Sequence, residues 1–233
     1  MKTIGLIGGM SWESTAVYYR LLNQMARESL GGLHSADLLL WSFDFAEIEA
    51  LQDSGDWAAA TARMCDAARG LEQGGAQCIV ICTNTMHKMA SEVQQSVDIP
   101  LIHIADVTAS ANRASVASQP LLLATRYTME QEFYTGRLIT HHGIATRVPS
   151  PEDRETVHNI IYNELCLGEI NPASKACYLD IAQRNLEAGA DSIILGCTEV
   201  GLLIQQSDFK VPVFDTTEIH CRAALEFALT HDV

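Results

Sequence analysis

Apolar residues in this chain gather in short unbroken runs instead of alternating with polar ones. Thr3–Gly8 (TIGLIG), Asp37–Phe43 (DLLLWSF), Cys78–Cys82 (CIVIC) and Pro100–Ile104 (PLIHI) form the first set of such runs. Pro120–Ala124 (PLLLA), Ile144–Val148, Ser192–Gly196 (SIILG) and Val211–Phe214 form a second. A run that is apolar on both sides suits a parallel strand covered on both faces. The segments between them read as helices. Ser14–Leu30 closes at Gly31-Gly32, and Trp57–Gln73 closes at Gly74-Gly75, where glycine accepts the left-handed turn that ends many helices. Asn171 as N-cap with Pro172 in the first turn opens a helix to Ala188, closed by Gly189. Strand and helix alternate throughout, which predicts an α/β protein.

The pattern also repeats. Gly75-Ala76-Gln77-Cys78-Ile79-Val80-Ile81-Cys82-Thr83-Asn84-Thr85 lies over Gly189-Ala190-Asp191-Ser192-Ile193-Ile194-Leu195-Gly196-Cys197-Thr198-Glu199 without a gap. Pro100-Leu101-Ile102 matches Pro212-Val213-Phe214, and Leu6–Ser11 resembles Leu122–Thr128. Several matches in the same order predict two pseudo-symmetric lobes, each a mainly parallel four-stranded sheet flanked by helices, with the active site in the cleft between them. The boundaries expected are residues 1–98 plus 210–233 for the first lobe and 99–209 for the second.

Charge and composition narrow the partners. With 15 Lys and Arg against 29 Asp and Glu, the net charge is −14, and no basic cluster offers a phosphate-binding surface. Nucleic acid and anionic membranes are therefore not expected as partners. The opening MKTIGLIGGM is broken by glycines too early for a signal peptide or a membrane span, so a cytoplasmic protein is expected. Seven cysteines without a C-x-x-C pair argue against a disulfide framework or a zinc site.

In parallel α/β sheets ligands gather beyond the carboxyl ends of the strands. Gly8-Gly9-Met10-Ser11, Thr83-Asn84-Thr85, Thr125-Arg126-Tyr127-Thr128 and Cys197-Thr198-Glu199 all fall there. Their backbone N–H groups suit a carboxylate. Cys197 follows a buried strand and precedes a helix, a setting expected to lower its thiol pKa. The repeat aligns Thr83, not Cys82, with Cys197, so Thr83 is preferred as its counterpart, and Cys82 is expected to point away from it. Cys65, Cys78, Cys166, Cys177 and Cys221 read as core. His87 falls in the first turn of a helix beside the candidate site. His34 and His141-His142 have no Cys or carboxylate at ligand spacing, so no metal is expected. Neither G-x-G-x-x-G nor a Walker pattern is present.

These residues resemble the cofactor-independent aspartate/glutamate racemases. The resemblance runs through GLIGGMSWEST, CTNTMH, ATRYTM and GCTEVGLL, and so covers essentially the whole chain. It implies two α/β lobes, each giving one catalytic residue, usually a cysteine, to opposite faces of the substrate's α-carbon. By resemblance those residues are Thr83 and Cys197. The sequence departs from the usual pattern at Thr83 and resembles a subgroup with threonine there. Racemisation without pyridoxal phosphate leaves the carbanion charge to preorganised donors. Asn84, Thr85 and Thr198 are the expected donors, with Met10 and Ser11 closing the other side and Gln52 meeting the substrate side chain. Arg126 or Lys88 could supplement them for a second carboxylate. The implied protein is a homodimer that needs no cofactor and interconverts L and D amino acids, aspartate and glutamate foremost. Hydantoin racemase, maleate isomerase and malonate decarboxylase chemistry share the scaffold, and a non-catalytic amino-acid sensor is the alternative outside enzymes.

Overall fold

In the computed structural model, which describes residues 1–115 and 117–230, the chain divides into two compact units. One comprises Met1–His103 and His220–Val233, the other Ile104–Ile219.

The first unit is built on a parallel sheet of order β2-β1-β3, formed by β1 (Ile4–Gly8), β2 (Leu38–Ser42) and β3 (Cys78–Ile81). Register explains why these runs are apolar throughout. Leu6 pairs with Val80 and Ile7 with Ile81, and successive residues face opposite sides. Ile4, Leu6, Cys78 and Val80 meet Tyr18 and Leu22 of α1 (Trp12–Leu30). Ile7, Ile79 and Ile81 meet the opposite layer, where Ile48 comes from α2 (Phe45–Asp53), Met64 and Leu71 from α3 (Trp57–Gln73), and Val93 from α4 (Ala90–Gln95). β1 and β3 are buried on both faces, as parallel pairing favours, whereas the edge strand β2 leaves Leu40 and Trp41 exposed.

The second unit repeats the plan through α5 (Ile104–Arg113), β4 (Pro120–Leu123), α6 (Arg126–Glu130), α7 (Thr135–His142), α8 (Pro151–Asn163) and α9 (Pro172–Glu187). It continues with β5 (Ser192–Leu195), α10 (Val200–Leu203), β6 (Val213–Asp215) and α11 (Thr216–Leu229), whose residues from His220 onward belong to the first unit. Its sheet is parallel with order β4-β5-β6. The repeat is visible in three dimensions. Gly75 and Gly189 turn at φ 99° and 105°, after which β3 and β5 run over corresponding residues.

Two expected strands are reduced to single parallel bridges, Ile79 to Leu101 and Leu121 to Arg147. Each sheet therefore holds three ladder strands plus one bridged segment. On one edge Pro100 supplies no N–H and α5 starts at Ile104. On the other, Pro149 follows Val148 at once. Neither segment has room for a longer ladder.

Helix ends follow the sequence signals. Ser11 caps α1, whose C-terminal Gly31 sits at φ 77° and donates to the Arg27 carbonyl. Asp56 caps α3, and Asn171 caps α9 with Pro172 behind it. Gly9 is the most constrained position. It takes φ 80°, and a Cβ there would stand 2.2 Å from the Phe43 carbonyl oxygen and 2.4 Å from the Phe43 nitrogen, because the Phe43 N–H donates to the Gly8 carbonyl at 3.0 Å. Gly32 shares the positive φ, at 57°, but has nothing within 4 Å of its would-be Cβ. Gly32→Ala is expected to cost about 1 kcal/mol in left-handed strain alone. Gly9→Ala adds a backbone clash and should cost about 3 kcal/mol or more, read from urea unfolding midpoints. Equal losses in the two variants would contradict the close approach of the two strand ends.

Candidate functional site

In the first unit, the strand ends converge through a few short bonds. Beyond β1 the chain turns at Gly9 and crosses a cis Met10-Ser11 peptide into α1. Thr15 closes that turn: its hydroxyl accepts from the Gly9 N–H at 2.8 Å and donates to the Ser11 carbonyl at 3.0 Å. The Ser14 hydroxyl donates to the Cys82 carbonyl at 2.9 Å and so ties this turn to the one after β3. Met10 and Ser11 are buried.

After β3, successive residues go to different places, as alternation requires. Cys82 packs into the apolar layer with Tyr18, Leu22 and Cys221, and burial pushes its thiol pKa up. Thr83 is half-buried, and Asn84 and Thr85 are buried. The helical first turn expected around His87 is a 3-10 turn over Thr85–Met89, followed by α4. It buries His87, whose Nδ1 lies 2.8 Å from the Thr83 carbonyl oxygen. Gln52 lies inside α2, buried, with its amide 3.2 Å from the Met86 sulfur. Met10, Ser11, Asn84 and Thr85 thus come from two turns that the Ser14–Cys82 hydrogen bond ties together, and Thr83 opens the second of them.

In the second unit β5 ends at Leu195, and Gly196 leads into Cys197, Thr198 and Glu199. All three of these side chains are buried. The Cys197 thiol donates to Glu199 Oε2 at 3.0 Å, and the Cys166 thiol lies 3.9 Å from Glu199 Oε1. The expectation of a lowered Cys197 pKa is overturned. Burial first, and then the negative charge of Glu199, hold the thiol well above its ordinary range. The expected helix dipole is too small to oppose them, because α10 has only four residues, Val200–Leu203. Cys197 is therefore held as the thiol, hydrogen-bonded to Glu199.

Glu199 is a buried acid at the candidate site that the sequence did not single out. Its signal was an acid inside the otherwise apolar run GCTEVGLL, immediately beyond a strand end. A carboxylate buried there needs a partner. Cys166, read as core, is half-buried instead and reaches Glu199 from the turn Leu165–Leu167. Cys177 is also half-buried, whereas Cys65, Cys78 and Cys221 lie in the core.

The supplementary cations are otherwise engaged: Lys88 sits 4.3 Å over the Trp57 ring and Arg126 lies over Tyr127. His142, which has no carboxylate at ligand spacing along the sequence, meets one from a distant part of the chain. Its Nε2 is 2.8 Å from Asp106, which also takes a two-pronged contact from Arg137. This is an ion-pair network between α5 and α7. Among the described residues no group of three His, Cys, Asp or Glu is placed to hold a metal ion, and no helix is long and apolar enough to cross a membrane.

Because the Glu199 charge disfavours the thiolate, Glu199→Gln should lower the Cys197 pKa. Iodoacetamide alkylation of the Cys197 peptide, followed against pH by mass spectrometry, is expected to set in at lower pH in the variant. A profile unchanged or shifted upward would refute the electrostatic coupling.

Comparison with known proteins gives consistent results. Residues 7–224 match the family described as Asp/Glu/Hydantoin racemase. A solved protein of Yersinia pestis, provisionally classed as an Asp/Glu racemase, is 51% identical, with a TM-score of 0.91 over 99% of this chain and 100% of its own. An aspartate racemase homologue from Pyrococcus horikoshii is 34% identical, with a TM-score of 0.86 over 99% and 100%. The broad specificity amino-acid racemase RacX of Bacillus subtilis is 20% identical over 71% of each chain.

Proposed function

This chain belongs to the Asp/Glu/Hydantoin racemase family and is an isomerase of the racemase type, and from that premise we infer that it interconverts L and D aspartate and glutamate without pyridoxal phosphate, by proton transfer at the α-carbon. The observation that carries this reading is the Cys197–Glu199 pair: a buried thiol with a proton acceptor 3.0 Å from its sulfur. The choice of acidic amino acids is supported by the likeness to the Pyrococcus horikoshii aspartate racemase homologue.

The steps follow from the groups available. Passing its proton to Glu199 makes Cys197 a thiolate that takes the α-proton from one enantiomer. The electron pair left on carbon spreads into the substrate carboxylate, where N–H and hydroxyl donors of Asn84, Thr85 and Thr198 stabilise it. A proton then arrives on the opposite face, given by the Thr83 hydroxyl directly or through a water. Solvent returns a proton to the Thr83 side, and Glu199 releases to solvent the proton it took, while Cys197 keeps the one from the α-carbon. In the other direction Cys197, protonated at rest, is the acid. A hydroxyl is a much weaker base than a thiolate, so the two halves of the reaction are chemically unlike, although the equilibrium ratio of enantiomers stays near one. Met10 and Ser11 border the substrate, and Gln52 contacts its side chain. Substrate is held by amides and hydroxyls despite the net charge of −14. A homodimer is the assembly this reading carries, with a small amino acid as its only ligand, and neither nucleic acid nor a membrane is a partner.

Solvent exchange tests the assignment. In D2O the protein is expected to place deuterium at the α-carbon of aspartate or glutamate, and Cys197→Ser should slow this about 100-fold or more, as loss of a general acid/base does. Saturable binding of these amino acids without exchange would identify a sensor instead. Exchange confined to hydantoins on a wider substrate panel would move the protein to that branch. Thr83→Cys supplies a second thiol and is expected to raise turnover with at least one enantiomer. A folded variant with no gain in either direction would sink the two-face scheme.

A further inference from the structure

Behind the strand-end turn of the first unit lies a buried group of imidazoles that the reaction scheme does not use. His220 is fully buried in α11. Its Nε2 lies 2.7 Å from the Ile102 carbonyl oxygen and its Nδ1 2.9 Å from the Tyr18 hydroxyl. A carbonyl can only accept, so Nε2 carries a proton. Burial brings the His220 pKa down to about 4, which leaves the ring neutral near pH 7 with Nδ1 accepting from Tyr18. Its ring meets that of His87 at 5.6 Å between centroids, and the His103 ring meets His87 from another side at 4.8 Å. His87 is consequently wedged between two imidazoles and is only 2% exposed.

His87 Nδ1 faces the Thr83 carbonyl oxygen at 2.8 Å, and by the same reasoning this nitrogen carries the proton and donates. The bond does more than close a turn. The Thr83 carbonyl and the Asn84 N–H belong to one planar peptide unit and point in opposite directions. Fixing the carbonyl fixes the line along which the Asn84 N–H points, and withdrawing electrons at the oxygen strengthens that N–H as a donor. It also fixes the backbone torsion that aims the Thr83 side chain. One imidazole thus controls the orientation of both an acid/base group and a carboxylate donor.

We propose that His87 is a positioning residue for the racemisation, holding the Thr83–Asn84 peptide so that proton transfer on the Thr83 face stays aligned with stabilisation of the substrate carboxylate. The proposal rests on the racemase reading above. It assigns His87 no contact with substrate and no proton transfer of its own.

The test uses the partition of the carbanion in D2O. Starting from the enantiomer that Cys197 deprotonates, the intermediate either returns with deuterium on the same face or is captured on the Thr83 face with inversion. A residue that merely stabilises the fold would lower both products together. His87→Gln, whose amide nitrogen mimics Nε2 and not Nδ1, is expected to lower kcat about tenfold or more. It should also raise the ratio of retained-deuterated to inverted product severalfold. His87→Asn places an amide nitrogen where Nδ1 stands and should keep both values near those of the parent protein. Equal behaviour of the two variants, or an unchanged ratio in His87→Gln, would overturn the proposal. Failure of the parent protein itself to exchange any amino acid would instead reject the racemase reading, which keeps the two outcomes apart.

Discussion

A parallel strand that is dry on both faces has nowhere to place a polar group except at its ends, and the rest of this protein follows from that constraint. β3 and β5 are buried along their whole length, so the first polar side chains after them cluster in the turns at Thr83-Asn84-Thr85 and Cys197-Thr198-Glu199. In the first unit the neighbouring turn is drawn in by the Ser14–Cys82 bond and by the bare backbone at Gly9. No separate scaffold for the chemistry is needed. The packing rule that makes the core also selects where reactive groups can stand.

The two turns occupy corresponding places in the repeat and are unlike in chemistry. In one, a buried thiol and a buried carboxylate share a proton, because placing a second negative charge beside Glu199 is unfavourable in a dry site. That pairing keeps Cys197 protonated until a reaction draws the proton away. In the other, an imidazole grips the backbone of the hydroxyl residue. The asymmetry gives the net charge of −14 a limited local meaning. In the proposed reaction, anion recognition falls to amides and hydroxyls, while the acid in the Cys197 turn is bonded to the thiol.

Much of this was legible in the sequence. The unbroken apolar runs marked the strands, and the α3 boundaries Trp57–Gln73 coincide with the reading because Asp56 and the Gly74-Gly75 pair punctuate them. The repeat predicted that β3 and β5 would correspond, and their matching turns at Gly75 and Gly189 follow it. Length was less legible. Pro100–Ile104 and Ile144–Val148 carry strand-like composition, yet each pairs through one bridge, since neighbouring elements, not propensity, set how far a ladder runs.

Sequence by itself determined the α/β class, the duplication, and the positions where polar residues interrupt the ends of dry strands, since these depend on periodicity and on near-neighbour backbone chemistry. Tertiary structure alone decided protonation and partnership. Cys197 has a raised pKa and not a lowered one, Glu199 lies between two thiols, His142 finds Asp106 across 36 positions, and His87 is wedged by His103 and His220. Each of those facts depends on desolvation and on through-space distance, which order along the chain does not encode.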